Sequence, residues 1–558
     1  MKFRSERGRL KGVGILLIIL ITAAVTFVIT YLIVSIFRHK TEAVNPYLRF
    51  VEVGQSTTDP TPWGMNWPRE FDQYKRTVEV SKTNFGGGDA SPAEKADTFP
   101  YLTRMYAGYA FSLDYRDRRG HAFMLLDQEK TRRVTERPQP GACLHCHASL
   151  IPTLVRMGGG DPNQAAYDGT TVMEGFKRLA AMPYKEAHEE VVKTGSWNPI
   201  PGKPDRFRHV PGAHPVSCTD CHNAKTMRLE VNRPGFISGI RALKAFEGIR
   251  DFDVNRDATR AEMRTYVCAQ CHVEYYCGPK VTLFYPWNNG VRVEEIESYY
   301  DGYKFPDGYR FHDWRHAETG AEMLKAQHPE YEMWRQGVHA KSGVACADCH
   351  MPYVRQGAIK ISDHHVRSPL LMLNRSCQQC HSWDEAELKN RVSTIQNRTF
   401  ALLTRSGQSL LDFLDTYKFI RAPFDAANAP LADKTAREKL AADAAYAKLP
   451  PAEQTVKLRE ATTAALNALW AEQVKKNPEL KSIVELHRKA QWRLDFVSSE
   501  NSMGFHAPQE AARILGESID YFRQAQLQSS RLVPSATKIP VTQTPSFPKA
   551  GKEPRNPK

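Results

Sequence analysis

The stretch Cys268-Ala-Gln-Cys271-His272-Val-Glu274-Tyr275-Tyr276 sets two thiols three residues apart with an imidazole directly after the second. At that spacing the thiols reach the two vinyl groups of one haem and the imidazole becomes the proximal ligand of its iron, the c-type attachment signal. The unit recurs at Cys143-Leu-His-Cys146-His147, Cys218-Thr-Asp-Cys221-His222, Cys346-Ala-Asp-Cys349-His350 and Cys377-Gln-Gln-Cys380-His381. Composition alone predicts about 0.007 such units in a chain of this make-up, against five present. Zinc knuckles need no histidine after each cysteine pair, and a disulfide framework needs no such spacing. Ten of the eleven cysteines are therefore read as the anchors of five covalent haem c groups. Their uneven intervals exclude a tandem repeat. Cys277, the eleventh, reads as an inert buried thiol.

Outward from the motifs, the chain has 558 residues, 41% hydrophobic and 25% charged, the make-up of a large globular protein. Its net charge of +14 sits mostly at the ends: +6 in residues 1–40 and +5 in residues 531–558, leaving +3 for the body. So weak a charge on the body excludes nucleic acid as the partner. Residues 15–37 run uncharged, long enough to span a bilayer. Five basic residues precede that run and no Ala-x-Ala-like exit is evident, so it reads as an uncleaved anchor with a cytoplasmic basic stub at 1–14 and residues 41–530 outside the inner membrane. Residues 41–100 are rich in Pro and Gly and read as an extended lead-in. Residues 100–385 have few periodic stretches and read as the haem-packed part. Apolar positions at helical spacing appear over 385–420, 453–498 and 508–530, with Pro478 breaking the middle stretch. Residues 531–558, rich in Pro, Ser, Thr and Lys, read as a disordered tail. The expected fold is mainly α, a multihaem cytochrome c body with long C-terminal helices and one transmembrane helix.

Beyond the motifs, the run Cys268 to Tyr276, Phe284-Tyr-Pro-Trp287, Leu324-Lys-Ala-Gln-His-Pro-Glu-Tyr331 and Gly343-Val-Ala-Cys-Ala-Asp-Cys-His-Met-Pro352 closely resemble cytochrome c nitrite reductase, the ammonia-forming pentahaem enzyme. The resemblance runs from about Gly108 to Arg523 and includes His506-Ala-Pro. It implies proximal ligands at His147, His222, His272, His350 and His381, with distal partners His364, His121, His506 and His339 for the second to fifth haems. The first haem, without a distal histidine, is then the one open to substrate. Where the family often has a lysine after the first cysteine pair, this chain has His147. His145 is a spacer. The resemblance also implies a catalytic trio of Arg133, Tyr275 and His328, with Arg132 as competitor for the arginine role. It implies a calcium held by side-chain oxygens of Glu274 and Gln327 and main-chain carbonyls of Tyr275 and Lys325, hard donors suited to that ion.

The activity implied is six-electron reduction of nitrite to ammonium in the periplasm. Electrons would come from a membrane-bound, quinol-oxidising multihaem cytochrome c, and the long helices would pair two subunits into a homodimer. The alternative is an electron carrier with every iron six-coordinate. A hydroxylamine-oxidising multihaem enzyme would be expected to carry more than five attachment units.

Overall fold

The computed structural model describes residues 3–44, 49–117, 119–162, 169–192, 197–200, 203–209, 215–277, 283–305, 307–357 and 359–533. Cys277 is described in its backbone only, and the expected tail from residue 534 lies outside the described residues. The fold is mainly helical. Strands form only two-stranded antiparallel hairpins among the described residues, for example Tyr353–Gln356 against Ile359–Ser362 with Tyr353 opposite Ser362.

An N-terminal helix spans Phe3–Val44. From Gly12 to Lys40 it is long and apolar enough to cross a membrane and none of that span is buried in the protein. The lead-in that follows is more ordered than an extended segment. Pro60 and Pro68 each open a short helix, Pro60–Asn66 and Pro68–Lys75, because a proline in the first turn gives up no hydrogen bond and presets φ. Trp63 from this segment is buried with Val53 and Ala224 beside Cys218.

The C-terminal part is four helices: Glu385–Ala441, Pro451–Lys476, Pro478–Ser499 and Pro508–Leu532. Pro478 does separate two of them, with Asn477 capping the new helix through Glu479 N at 2.9 Å and Leu480 N at 3.1 Å. The first helix outruns its periodic stretch by 21 residues and passes through Pro423 and Pro430. Both prolines lie where the helix is largely solvent-exposed, and Arg421 braces it there through Asp425 and the Trp470 ring.

These helices hold the loop-rich part rather than standing apart from it. Their core residues Phe413, Trp470, Trp492 and Phe522 share one cluster with Tyr101, Tyr106, Tyr300, Phe311 and Trp314. Their polar side chains satisfy main-chain groups of the loops, since a buried carbonyl without a donor is costly. Trp492 Nε1 donates to Val293 O at 2.9 Å, Trp470 Nε1 to Thr319 O at 2.9 Å, and Gln491 Nε2 to Met105 O at 2.7 Å. Tyr106 in turn donates its hydroxyl to Asp495 at 2.6 Å.

Candidate active site

All five attachment motifs lie on or beside a helical turn. Gly141–Cys143 runs into Leu144–His147, Cys218–Asp220 is a 3-10 turn, Cys268 lies in the last turn of Arg260–Ala269, Cys346–His350 is helical, and Leu373–Ser376 precedes Cys377. In three motifs the histidine N–H donates to the first cysteine's carbonyl: His222 to Cys218 at 2.9 Å, His272 to Cys268 at 3.1 Å, His381 to Cys377 at 2.9 Å. One such turn brings both thiols to one side with the imidazole next to them. Among the described residues the ten motif cysteines form no disulfide.

Two imidazoles on opposite sides of one metal ion, each bonded at about 2 Å, hold their ring centres roughly 6 Å apart. Three histidine pairs stand at that spacing: His222 and His364 at 6.1 Å, His339 and His381 at 6.3 Å, His350 and His506 at 6.5 Å. His272 lies near enough to His121, the partner the resemblance implies, for its charge to act on it, as it does on His350. For the other three pairs the residues far apart in sequence that the resemblance matched are brought face to face.

Second nitrogens fix several rings. Nδ1 faces a carbonyl in His147 (Met124 O, 3.0 Å), His222 (Met227 O, 3.0 Å), His350 (Arg367 O, 3.2 Å) and His364 (Ser362 O, 2.8 Å). Such a contact selects the tautomer with Nε2 unprotonated, the atom then able to bind iron. Burial pushes His222 and His350 down to about 4, so both are neutral at pH 7. At His506 burial also presses downward, but the Glu500 carboxylate 2.6 Å from Nδ1 outweighs it and the net shift is upward. The cysteine pairs on helical turns, the paired rings and the anchored Nδ1 atoms fit haem c.

Near the first motif, Tyr275 and His328 stand edge to face with ring centres 6.4 Å apart. Tyr275 is buried and His328 half-buried. Arg133 lies over the Phe111 ring at 4.3 Å and donates from Nη2 to Gln128 Oε1 at 3.2 Å. The other face of this neighbourhood is set by Lys325, whose ammonium is 5.0 Å from the same Phe111 ring. Arg132, the competitor, is exposed and bound to Glu136 at 2.8 Å. His145 is buried against Phe176, with its ring centre 5.1 Å away.

The family model for cytochrome c552 matches residues 59–556. The chain belongs to the cytochrome c552 family. It is 33% identical over 476 residues to cytochrome c-552 of Parabacteroides distasonis, covering 84% of this chain and 76% of that one. It is 32% identical over 519 residues to cytochrome c-552 of Bacteroides fragilis, covering 91% and 84%. Its structure is similar to that of cytochrome c nitrite reductase from Desulfovibrio desulfuricans, a catalytic subunit with two calcium sites, at a TM-score of 0.62 and 25% identity over 86% of this chain and 88% of that one.

In this cytochrome c552 family member the residues expected at calcium converge in part. Glu274 is fully buried; its Oε2 accepts from Gln327 N at 2.6 Å and its Oε1 from the Tyr300 hydroxyl at 2.9 Å. Burial, then the negative Glu332 and Asp313, hold its pKa well above the usual carboxylate range. Glu332 is pushed up to about 8 and Asp313 to about 7, both chiefly by burial. Glu332 Oε2 and Asp313 Oδ1 are buried without a hydrogen-bond partner. That excess of buried acid fits a cation. Among the described residues no three His, Cys, Asp or Glu side chains form a metal-binding group, so the donors would be one carboxylate, one amide and carbonyls. The Lys325 ammonium is directed to Asp495 at 3.1 Å and Ser499 at 3.0 Å.

Sequence reasoning missed the supports of Arg133, Lys325 and Glu274. Phe111, Gln128, Asp495 and Glu332 carry no local motif, and only the folded arrangement shows what they touch.

Proposed function

We propose that this protein reduces nitrite to ammonium, consuming six electrons and eight protons per nitrite and releasing two waters. The observation that carries the reading is the structural likeness, over 86% of this chain, to a cytochrome c nitrite reductase. Proximal and distal histidines pair in the manner described, with five haems attached through the ten motif cysteines, and the first motif, with His147, is the substrate site. When bound, haem c supplies irons that change state one electron at a time and, at the first motif, a position for the substrate.

The chain's own groups do the rest. The Arg133 guanidinium draws in the anion and polarises its N–O bonds, and Phe111 and Gln128 hold that guanidinium in place. The Tyr275 hydroxyl and the His328 imidazole donate hydrogen bonds and protons as each oxygen leaves. Burial of Tyr275 keeps bulk water away, which strengthens these interactions. Glu274, Gln327 and the carbonyls of Tyr275 and Lys325 hold a calcium that fixes the loop carrying His328.

Residues 15–37, within the helix Phe3–Val44, anchor the protein in the inner membrane with the catalytic body, residues 41–530, on the periplasmic side. A membrane-bound quinol-oxidising multihaem cytochrome c supplies electrons, and the long helices pair two subunits.

Arg133→Ala and His328→Ala should each lower nitrite turnover with a reduced viologen by about 100-fold or more, the scale of losing one catalytic hydrogen-bond or proton donor. Mass spectrometry should still count five haems. Full ammonium formation in either variant would remove that residue from its role.

A further inference from the structure

Arg233 is completely buried where the first three attachment motifs meet. Its Nη2 donates to the carbonyl of Ala148, next to His147, and to Asp220 Oδ1 inside the second motif, both at 2.7 Å. Its charge also acts on Cys146 of the first motif and, together with that of Asp220, on Cys221 of the second and Cys271 of the third. Asp220 is anchored at its other oxygen, where Oδ2 accepts from Ser217 N at 2.8 Å. Adjacent bonds lock the same junction: Asn232 Nδ2 to Thr219 O at 2.8 Å, Gln270 Nε2 to Asp220 O at 2.6 Å, and the Tyr285 hydroxyl to Gln270 O at 2.9 Å.

A guanidinium keeps its charge at every accessible pH, and a buried charge is felt farther than one in water. Replacing a buried ion pair by apolar side chains is often neutral or stabilising, so this pair is weak evidence for stability alone. Its orientation is the informative part. The positive end is bonded beside His147 of the first motif, and the negative end lies within the second.

We propose that the Arg233–Asp220 pair sets the direction of electron flow at this junction, favouring reduction of the haem on the first motif and disfavouring it at the second. The change it acts on is the gain of one electron per iron from the donor, with no bond made or broken. Arg233 and Asp220 are positioning residues here, since they act through the field. The proposal rests on haem attachment as given under the proposed function.

Optical redox titration of the purified full chain tests it without nitrite. Arg233→Gln should move part of the titration curve to lower potential, Asp220→Asn should move part of it to higher potential, and Arg233→Lys should restore the parent curve. A merely structural role has no reason to give opposite signs. Haems are counted by mass spectrometry in every sample, so a parent chain with fewer than five contradicts the attachment reading instead of this one. If Arg233→Gln matures with too few haems, Asp220→Asn decides, and an unshifted curve with five haems overturns the proposal. Shifts of the same sign in Arg233→Gln and Asp220→Asn overturn it too.

Discussion

Between residues 385 and 532 the backbone pairs with itself in four long helices, whereas among the described residues between 100 and 385 no helix exceeds 13 residues and turns and hairpins join them. The helical part buries tryptophans and phenylalanines against one another. The loop-rich part surrounds its cysteine pairs and facing histidines, and donors from the helices satisfy several of its carbonyls. A chain of such short elements positions histidines as far as 156 residues apart only if something else supplies the scaffold. Here the helices supply one side of it and, on the proposed reading, haem supplies the other.

The difference between the two parts can be broken most forcefully at the third motif. Cys268→Ser together with Cys271→Ser should lower the mass by one haem and leave residues 100–385 open to protease, while the helices from Glu385 resist longer. A four-haem protein as resistant as the parent would mean the loops fold without that group. A smaller loss follows from Trp492→Ala, which removes a fully buried indole and its bond to Val293 O. The expected cost is about 3–5 kcal/mol. Because Trp492 joins both parts, helical circular dichroism and the haem absorbance should melt together at the lower temperature, and separate melts would show the parts to be independent.

The smallest effect is in acid and belongs to the seam. Burial holds His316 down to about 4, and its ring packs on His487 at 4.8 Å between centres. His487 is shifted in the same direction by burial first and then by His316. The unfolded chain binds these protons near the ordinary histidine value of about 6.5, so the folded state is favoured above that pH and loses stability as pH falls toward 4. For His316 alone the loss is about 3 kcal/mol at pH 4. His316→Gln should flatten the dependence of the denaturation midpoint over that window, and an unchanged slope would contradict the assignment.

The five motifs were legible outright because their chemistry is local: two thiols and an imidazole on one turn. Helical periodicity marked the C-terminal part for the same reason, although it stopped at 420 where the exposed stretch through Pro423 and Pro430 lacks an apolar stripe. The distal histidines were legible only by resemblance, since nothing near His121 or His506 in sequence says which ring it will face. The lead-in was misread because its prolines open helices there instead of preventing them. The hub at Arg233 had no signature at all, being built from residues whose partners lie 13 and 85 positions away.

The central claim is met most directly by product analysis. Purified protein given limiting nitrite and excess reduced viologen should form one ammonium per nitrite and consume six electrons, with no accumulation of nitric oxide or nitrous oxide. A chain carrying all five haems that leaves nitrite unconsumed, or that stops at either oxide, would contradict the account.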